Sequence, residues 1–241
     1  HTSGTTFPVG TTTVIYTATD ASGNVNTCSF NVVVEDNEAP TVVTQNITVQ
    51  LDASGNASIV AGDIENGSTD NCGIASYSVS PSSFTCSDAG PVTVTLSVTD
   101  IHGNTGTNTA TVTVEDNVDP VALCKTHTVQ LDANGNGSMT AADIDDGSND
   151  ACGIASLVAS KTVFDCTNVG MNTVTLTVTD NNGNVSTCIT TVTVEDKIDP
   201  VAVCKAFTVQ LDDLGIGTMT ASDINYGSND ACGVAGIVAS K

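Results

Sequence analysis

Carboxylates return along this chain at a fixed interval. Glu35-Asp36, Glu115-Asp116 and Glu195-Asp196 are evenly spaced, and Asp20, Asp100 and Asp180 follow the same period. Hard oxygen donors gathered at one place suit Ca2+, which takes six to eight of them. Asn37 and Asn117 add an amide to the first two sets, whereas Lys197 stands at the third and weakens it. The candidate calcium ligands are Glu35, Asp36, Asn37 and Asp100 at one point, and Glu115, Asp116, Asn117 and Asp180 at the next. Against this stands the ordinary work of aspartate in turns, where it accepts hydrogen bonds from its own backbone. That role suffices for any single Asp. A cluster without a cation would repel itself, which favours calcium where several meet. The stretch DIDDGSND, 143–150, hints at an EF-hand loop but lacks its spacing and its final Glu.

The second chemistry is sulfur. There are nine cysteines. Copy 120–199 holds Cys124, Cys152, Cys166 and Cys188. The copy before it keeps the middle two as Cys72 and Cys86 but has Thr44 and Asn108 at the outer positions. Two cysteines that vanish together point to a pair. The expected bridges are Cys72–Cys86, Cys152–Cys166 and Cys124–Cys188, with Cys28, Cys204 and Cys232 finding partners beyond the ends of the chain. The internal copies leave other pairings open. No C-x-x-C occurs, and the spacings do not resemble a zinc site. Disulfides place the chain in an oxidising compartment, secreted or on a cell surface.

Catalysis finds no foothold. His1, His102 and His127 do not recur: the position of His102 holds Asn182 in the next copy, and that of His127 holds Ile47 and Phe207 in the others. Neither G-x-S-x-G nor H-E-x-x-H is present. The three histidines read as surface residues, and the chain as a non-enzyme.

Strands must position these groups. Val92, Val94, Leu96 and Val98 alternate with Thr93, Thr95, Ser97 and Thr99, and the next copy repeats the pattern. One apolar face and one threonine face suit a sheet packed on one side. Turn formers separate the strands at 52–56, 100–104 and 180–184. A short helical turn fits 140–145. Each copy is expected to be an all-β, immunoglobulin-like sandwich of about seven short strands, strung into an elongated rod. Prolines at 40, 120 and 200 mark the hand-over. Complete repeats are then 40–119 and 120–199. Residues 1–39 are the C-terminal half of a repeat and 200–241 the N-terminal half of another, a window on a longer protein. In such a sandwich Asp100 should face the linker carrying Glu35 to Asn37, and Asp180 the linker carrying Glu115 to Asn117. Asp63, Asp70 and their equivalents recur in a loop at the same pole.

The net charge of −22, with five Lys and Arg together, excludes nucleic acid and anionic membrane surfaces as partners. No segment has the length and apolarity of a membrane span.

These residues resemble a known family. FPVGTTTVIYTATDASGNVNTCSFNVVVEDNEAP, 7–40, looks like the second half of a hyalin repeat, an extracellular immunoglobulin-like module. VALCKTHTVQLDANGNGSMTAADIDDGSNDACGIAS, 121–156, resembles a variant abundant in very large surface proteins of Bacteroidetes-type bacteria. The resemblance implies a repeated stalk or adhesin module without catalytic role. Thr6, where the third copy has Cys166, implies a subtype that places its second disulfide elsewhere. The junction carboxylates are similar to cadherin linkers, where calcium stiffens a string of domains. The expected partners are neighbouring modules of the same chain, with other fibre chains or surface ligands beyond them. A glycan- or protein-gripping adhesin is the alternative, though the chain has no Trp, three Tyr and five Phe. Another is a subunit that polymerises by completing split domains head to tail.

Overall fold

A computed structural model describes residues 4–240. The chain forms two compact units, one ending at Asp116 and the other beginning at Asn117. Each holds one six-strand copy of the repeat and a second, shorter stretch of the repeated sequence. His1 lies outside the described residues.

In the first unit, β1 (Gly10–Thr19) and β2 (Val25–Val34) form an antiparallel hairpin with Gly10 opposite Val34 and Thr19 opposite Val25. The complete copy follows as β3 (Ile47–Gln50), β4 (Asn56–Ser58), α1 (Ala61–Ile64), β5 (Ile74–Ser80), β6 (Ser83–Thr85), β7 (Gly90–Asp100) and β8 (Thr105–Glu115). One sheet runs β3-β8-β7-β5, with β3 parallel to β8 and the other pairs antiparallel. The second, smaller sheet pairs β4 with β6.

The expected alternation is realised. Val94, Leu96 and Val98 of β7 and Val112 of β8 are fully buried, while the threonines between them lie toward solvent. Leu51, Ile59, Ile64 and Phe84 close the core from the other side. The Asp63 carboxylate caps the single turn of α1 by accepting the Val60 N–H at 2.7 Å. That turn seats Ile64 in the core.

The second unit repeats the plan. Its complete copy comprises β9 (His127–Gln130), β10 (Asn136–Ser138), α2 (Ala141–Ile144), β11 (Ile154–Ala159), β12 (Val163–Asp165), β13 (Gly170–Asp180) and β14 (Val185–Glu195). Its sheets are β11-β13-β14-β9 and β10-β12. Ile144, Phe164, Val174, Leu176, Val178 and Val192 centre its core. Beyond Pro200 come α3 (Ala221–Ile224) and isolated bridges Val201–Asn229 and Cys204–Asn225.

Six strands are found per complete copy where about seven were expected. The missing one is the opening segment. In the first unit it is reduced to two isolated bridges, Thr41–Thr69 and Thr44–Glu65. Gly67 lies between them with φ of +88°, a left-handed conformation that cannot continue a ladder. Positions that are core in a complete copy are open in a partial one. Tyr16 is 63 % exposed where its equivalent Leu96 is 0 %, and Leu211 is 68 % exposed where Leu131 is 4 %. No helix among the described residues is long and apolar enough to cross a membrane.

Candidate junction site

Six aspartates follow one rule. In Asp20, Asp52, Asp100, Asp132, Asp180 and Asp212, Oδ1 accepts the backbone N–H two residues on and again four residues on, at 2.8–3.0 Å. The residue three on is always Gly, with φ between +73° and +98°. In three of these turns Asn24, Asn104 or Asn184 also donates its side-chain amide to Oδ2. The sequence D-x-x-G-N/I is thus a clasp in which one carboxylate closes a tight turn. Asp100 and Asp180 are buried, 2 % and 1 % exposed. Burial pushes their pKa up, but hydrogen bonds from Asn104 and Asn184, then from the turn backbone, outweigh it and hold both below the ordinary value.

The clasp that ends β7 reaches the linker ahead of it. Asp36, Asp70 and Asp100 bring carboxylate oxygens within 4.8 Å of one another. Asn104 donates its amide to the Asp36 carbonyl at 3.1 Å, and His102 Nδ1 lies 3.1 Å from Asp36 Oδ2. Asp70 Oδ1 accepts the N–H groups of Cys72 and Gly73. The Cys72 thiol is free and stands in the same cluster as Asp36 and His102. Its pKa is raised, first by burial, then by its hydrogen bond to Asp36 and the surrounding carboxylates. In the second unit the equivalent point gathers Asp196, Asp230 and the sulfur of Cys232.

The structure sorts the candidate ligands. Asp36 and Asp100 meet, as the topology required. Glu35 and Asn37 are exposed and line an open groove beside them with Asp36, Glu38, Asn71 and Cys72. Glu115 turns outward and accepts from Gln50 at 2.8 Å, as Glu195 accepts from Gln130 and pairs with Lys197 at 2.7 Å. Asp116 is buried and Asn117 exposed. Asp180 clasps its own turn. Asp70 belonged to the loop expected at this pole, but Cys72 and His102 were missed as members of the cluster. The signal for His102 was its place: it sits in the turn behind Asp100, the turn that touches the linker.

Two of the three expected disulfides are corrected. Cys124 and Cys188 are joined, but Cys166 is bonded to Cys232, not to Cys152. Cys72 is free while Cys86 is disulfide-bonded, so those two are not a pair. Cys86 and Cys152 are each disulfide-bonded. The Cys166–Cys232 bond crosses the hand-over at Pro200, linking one copy to the next. It lies against the Asp132 turn, where a Cβ on Gly135 would meet Cys166 Sγ at 2.5 Å and the Ala231 methyl at 3.2 Å. Gly135, at φ +77°, therefore serves both its turn and the close approach of the next copy.

The HYR domain family matches residues 1–34. Hyalin of Strongylocentrotus purpuratus is 31 % identical, covering 98 % of this chain and 21 % of that protein. Hyalin of Lytechinus variegatus is 30 % identical over 98 % of this chain and 46 % of its own length. The chain thus spans less than half of either relative. Among solved structures, the protocadherin GammaB4 extracellular domain aligns with a TM-score of 0.36 and 16 % identity, covering 82 % of this chain and 39 % of that one. Mouse clustered PcdhgC3 EC1-3 gives 0.37 and 13 %, covering 80 % and 78 %. Both overlaps are too loose to bear on function. The chain is thus similar to the hyalin repeat, with the family model itself matching only its first copy, and its disulfide-bonded all-β fold is extracellular or cell-surface.

Proposed function

We propose that this chain is a non-enzymatic structural segment of an extracellular fibre or adhesin stalk, with modules 40–119 and 120–199 complete and 1–39 and 200–241 partial. The observation that carries this reading is the Cys166–Cys232 bond, which ties consecutive copies covalently. Cys166 and Cys232 pack against the core of the complete copy, so the bond anchors the following copy to that core. It resists separation of neighbours under load. The provenance in giant bacterial surface proteins gains no support from the relatives and plays no part here. Aromatic platforms for sugar rings are nearly absent, with no Trp, three Tyr and five Phe, which disfavours the glycan-binding alternative.

Calcium is the second part of the proposal. Asp36, Asp70 and Asp100 offer hard oxygens at one hand-over, and Asp196 and Asp230 at another. The donors fit: each carboxylate has lone pairs left after its turn bonds, and no Lys or Arg ion pair reaches these groups among the described residues. Asp36, Asp70 and Asp230 would hold the ion, while Asp100 both ligates and clasps. Binding only to the folded form raises the melting temperature by mass action. Calorimetric titration should show calcium uptake that Asp36→Asn and Asp230→Asn each diminish, and chelator should lower the melting temperature. A melt indifferent to chelator would reduce the carboxylates to solvated turns.

A further inference from the structure

The first hand-over differs from the other copies in two coupled ways. The period places the partner of Cys72 at Thr6, because the Cys166–Cys232 separation is 66 residues. Cys72 is accordingly free. In this same copy, and in no other, the residue two after the clasp aspartate is histidine; the others have Ser22 and Asn182. The copy that lacks the cross-link has gained an imidazole within 4.8 Å of the liberated thiol and of Asp36.

We propose that Cys72, His102 and Asp36 form a zinc site that replaces the missing disulfide between the first two copies. The ligands are one thiolate, one imidazole and one carboxylate, a set that suits Zn2+ and not Ca2+. The three ligand atoms lie within 4.8 Å of one another, and one pair is spaced as on a tetrahedron. Ligand atoms on adjacent corners, with bonds of about 2.0–2.1 Å, stand roughly 3.3 Å apart; His102 Nδ1 and Asp36 Oδ2 are 3.1 Å apart. The fourth corner is left to water or to a carboxylate oxygen of Asp70. Each ligand is already held from behind. Asp70 Oδ1 accepts the Cys72 N–H at 2.8 Å, Asp100 Oδ1 accepts the His102 N–H at 2.8 Å, and Asn104 holds the Asp36 carbonyl. Such support is what keeps first ligands aligned on a metal. Asp36 is on the linker, Cys72 and His102 on the next copy, so the ion would span the hand-over as the disulfide does in the second unit. On binding, the Cys72 S–H bond breaks, its electron pair forms the Zn–S bond, and the proton leaves to solvent; the hydrogen bond between His102 and Asp36 breaks, and the neutral imidazole binds through Nδ1 with its proton on Nε2. The three ligands come from three well-separated segments of the chain, which no local metal motif encodes.

The proposal goes beyond the calcium reading and shares Asp36 with it, and Asp70 where that carboxylate takes the fourth corner. The test titrates the intact chain, native disulfides in place, with Co2+ and then Zn2+. Expected are one Co2+ with thiolate-to-metal charge-transfer absorption, its displacement by Zn2+, and slowed alkylation of Cys72 in zinc-loaded wild type. Cys72→Ser and His102→Asn should abolish the absorption and weaken Zn2+ binding about tenfold or more, while Ca2+ uptake by Cys72→Ser stays as in wild type. Absence of the thiolate absorption, or alkylation of Cys72 unaffected by zinc, overturns the site. So does a Cys72→Ser protein that binds Zn2+ as wild type does. Loss of calcium uptake in wild type with zinc binding intact would sink the calcium reading alone.

Discussion

At the scale of single residues, aspartate does two jobs that the sequence shows as one. The motif D-x-x-G-N was legible as a turn from composition, and the repeated carboxylates as a cluster from spacing. The structure shows that Asp100 and Asp180 are first of all clasps, with Oδ1 committed to two or more backbone N–H groups. Removing either would therefore loosen β7–β8 or β13–β14 before it tested a metal. The titration follows from this. The folded pKa of Asp180 is held below the ordinary 3.8. A depressed carboxylate contributes stability that is full above its unfolded pKa and is lost as pH falls through its folded one. Denaturant midpoints should be flat from neutrality to about pH 5 and decline below about pH 4. Asp180→Asn keeps an acceptor for the turn but not the charge, and should flatten that decline in the second unit. An unchanged acid slope would show that the clasp is indifferent to ionisation.

At the scale of elements, the threonine–valine alternation dictated the long strands and their faces. It was readable because one face is buried and the other wet, which fixes register: a slip of one residue would expose Val174, Leu176 and Val178 together. The short elements were less legible. β4 and β10 are three residues long, too short for periodicity, and the strands they pair with carry Phe84 and Phe164 into the core. The opening segment is held only by isolated bridges and is interrupted by the Gly67 conformation of its neighbour, a pairing partner distant in sequence. Leu176, fully buried at the centre of β13, is the sharpest probe of the core. Leu176→Ala should destabilise the second unit by about 2–5 kcal/mol, the usual cost of lost transfer energy plus a cavity. Denaturant unfolding of the variant measures it; a loss below about 1 kcal/mol would mean that the two sheets collapse onto the gap.

At the scale of the whole molecule, the cysteines show what a perfect repeat conceals. Cys152 and Cys232 are equivalent positions in successive copies, and Cys166 falls between them. The step back from Cys166 to Cys152 and the step on to Cys232 therefore add to one full period. Bonding within a copy and bonding to the next leave the same recurring pattern, so periodicity cannot choose between them. Only folding decides, by bringing the turn after β12 against Cys232 and leaving Gly135 no room for a side chain. Cys124–Cys188 was readable because its two members are absent together from one copy, a signal that Cys166–Cys232 lacks. Peptide mapping without reduction should recover Cys124 with Cys188 and Cys166 with Cys232, and should find Cys72 as a thiol. A Cys152–Cys166 peptide would restore the intramodular pairing and remove the covalent basis of the proposed load path. The energetic counterpart uses the paired variant Cys166→Ser with Cys232→Ser, which leaves neither partner behind as a thiol. The closed loop spans 66 residues, and its loss should cost about 4 kcal/mol in the chain-entropy model. That cost should fall on the attachment of residues 200–240, whose Leu211 and Met219 find little cover of their own, and hardly on the core around Leu176. Hydrogen exchange separates the two: amides beyond Pro200 should lose protection while β13 and β14 keep theirs. Equal loss in both would mean that the bond supports a single core, and that its place across the hand-over has no mechanical purpose.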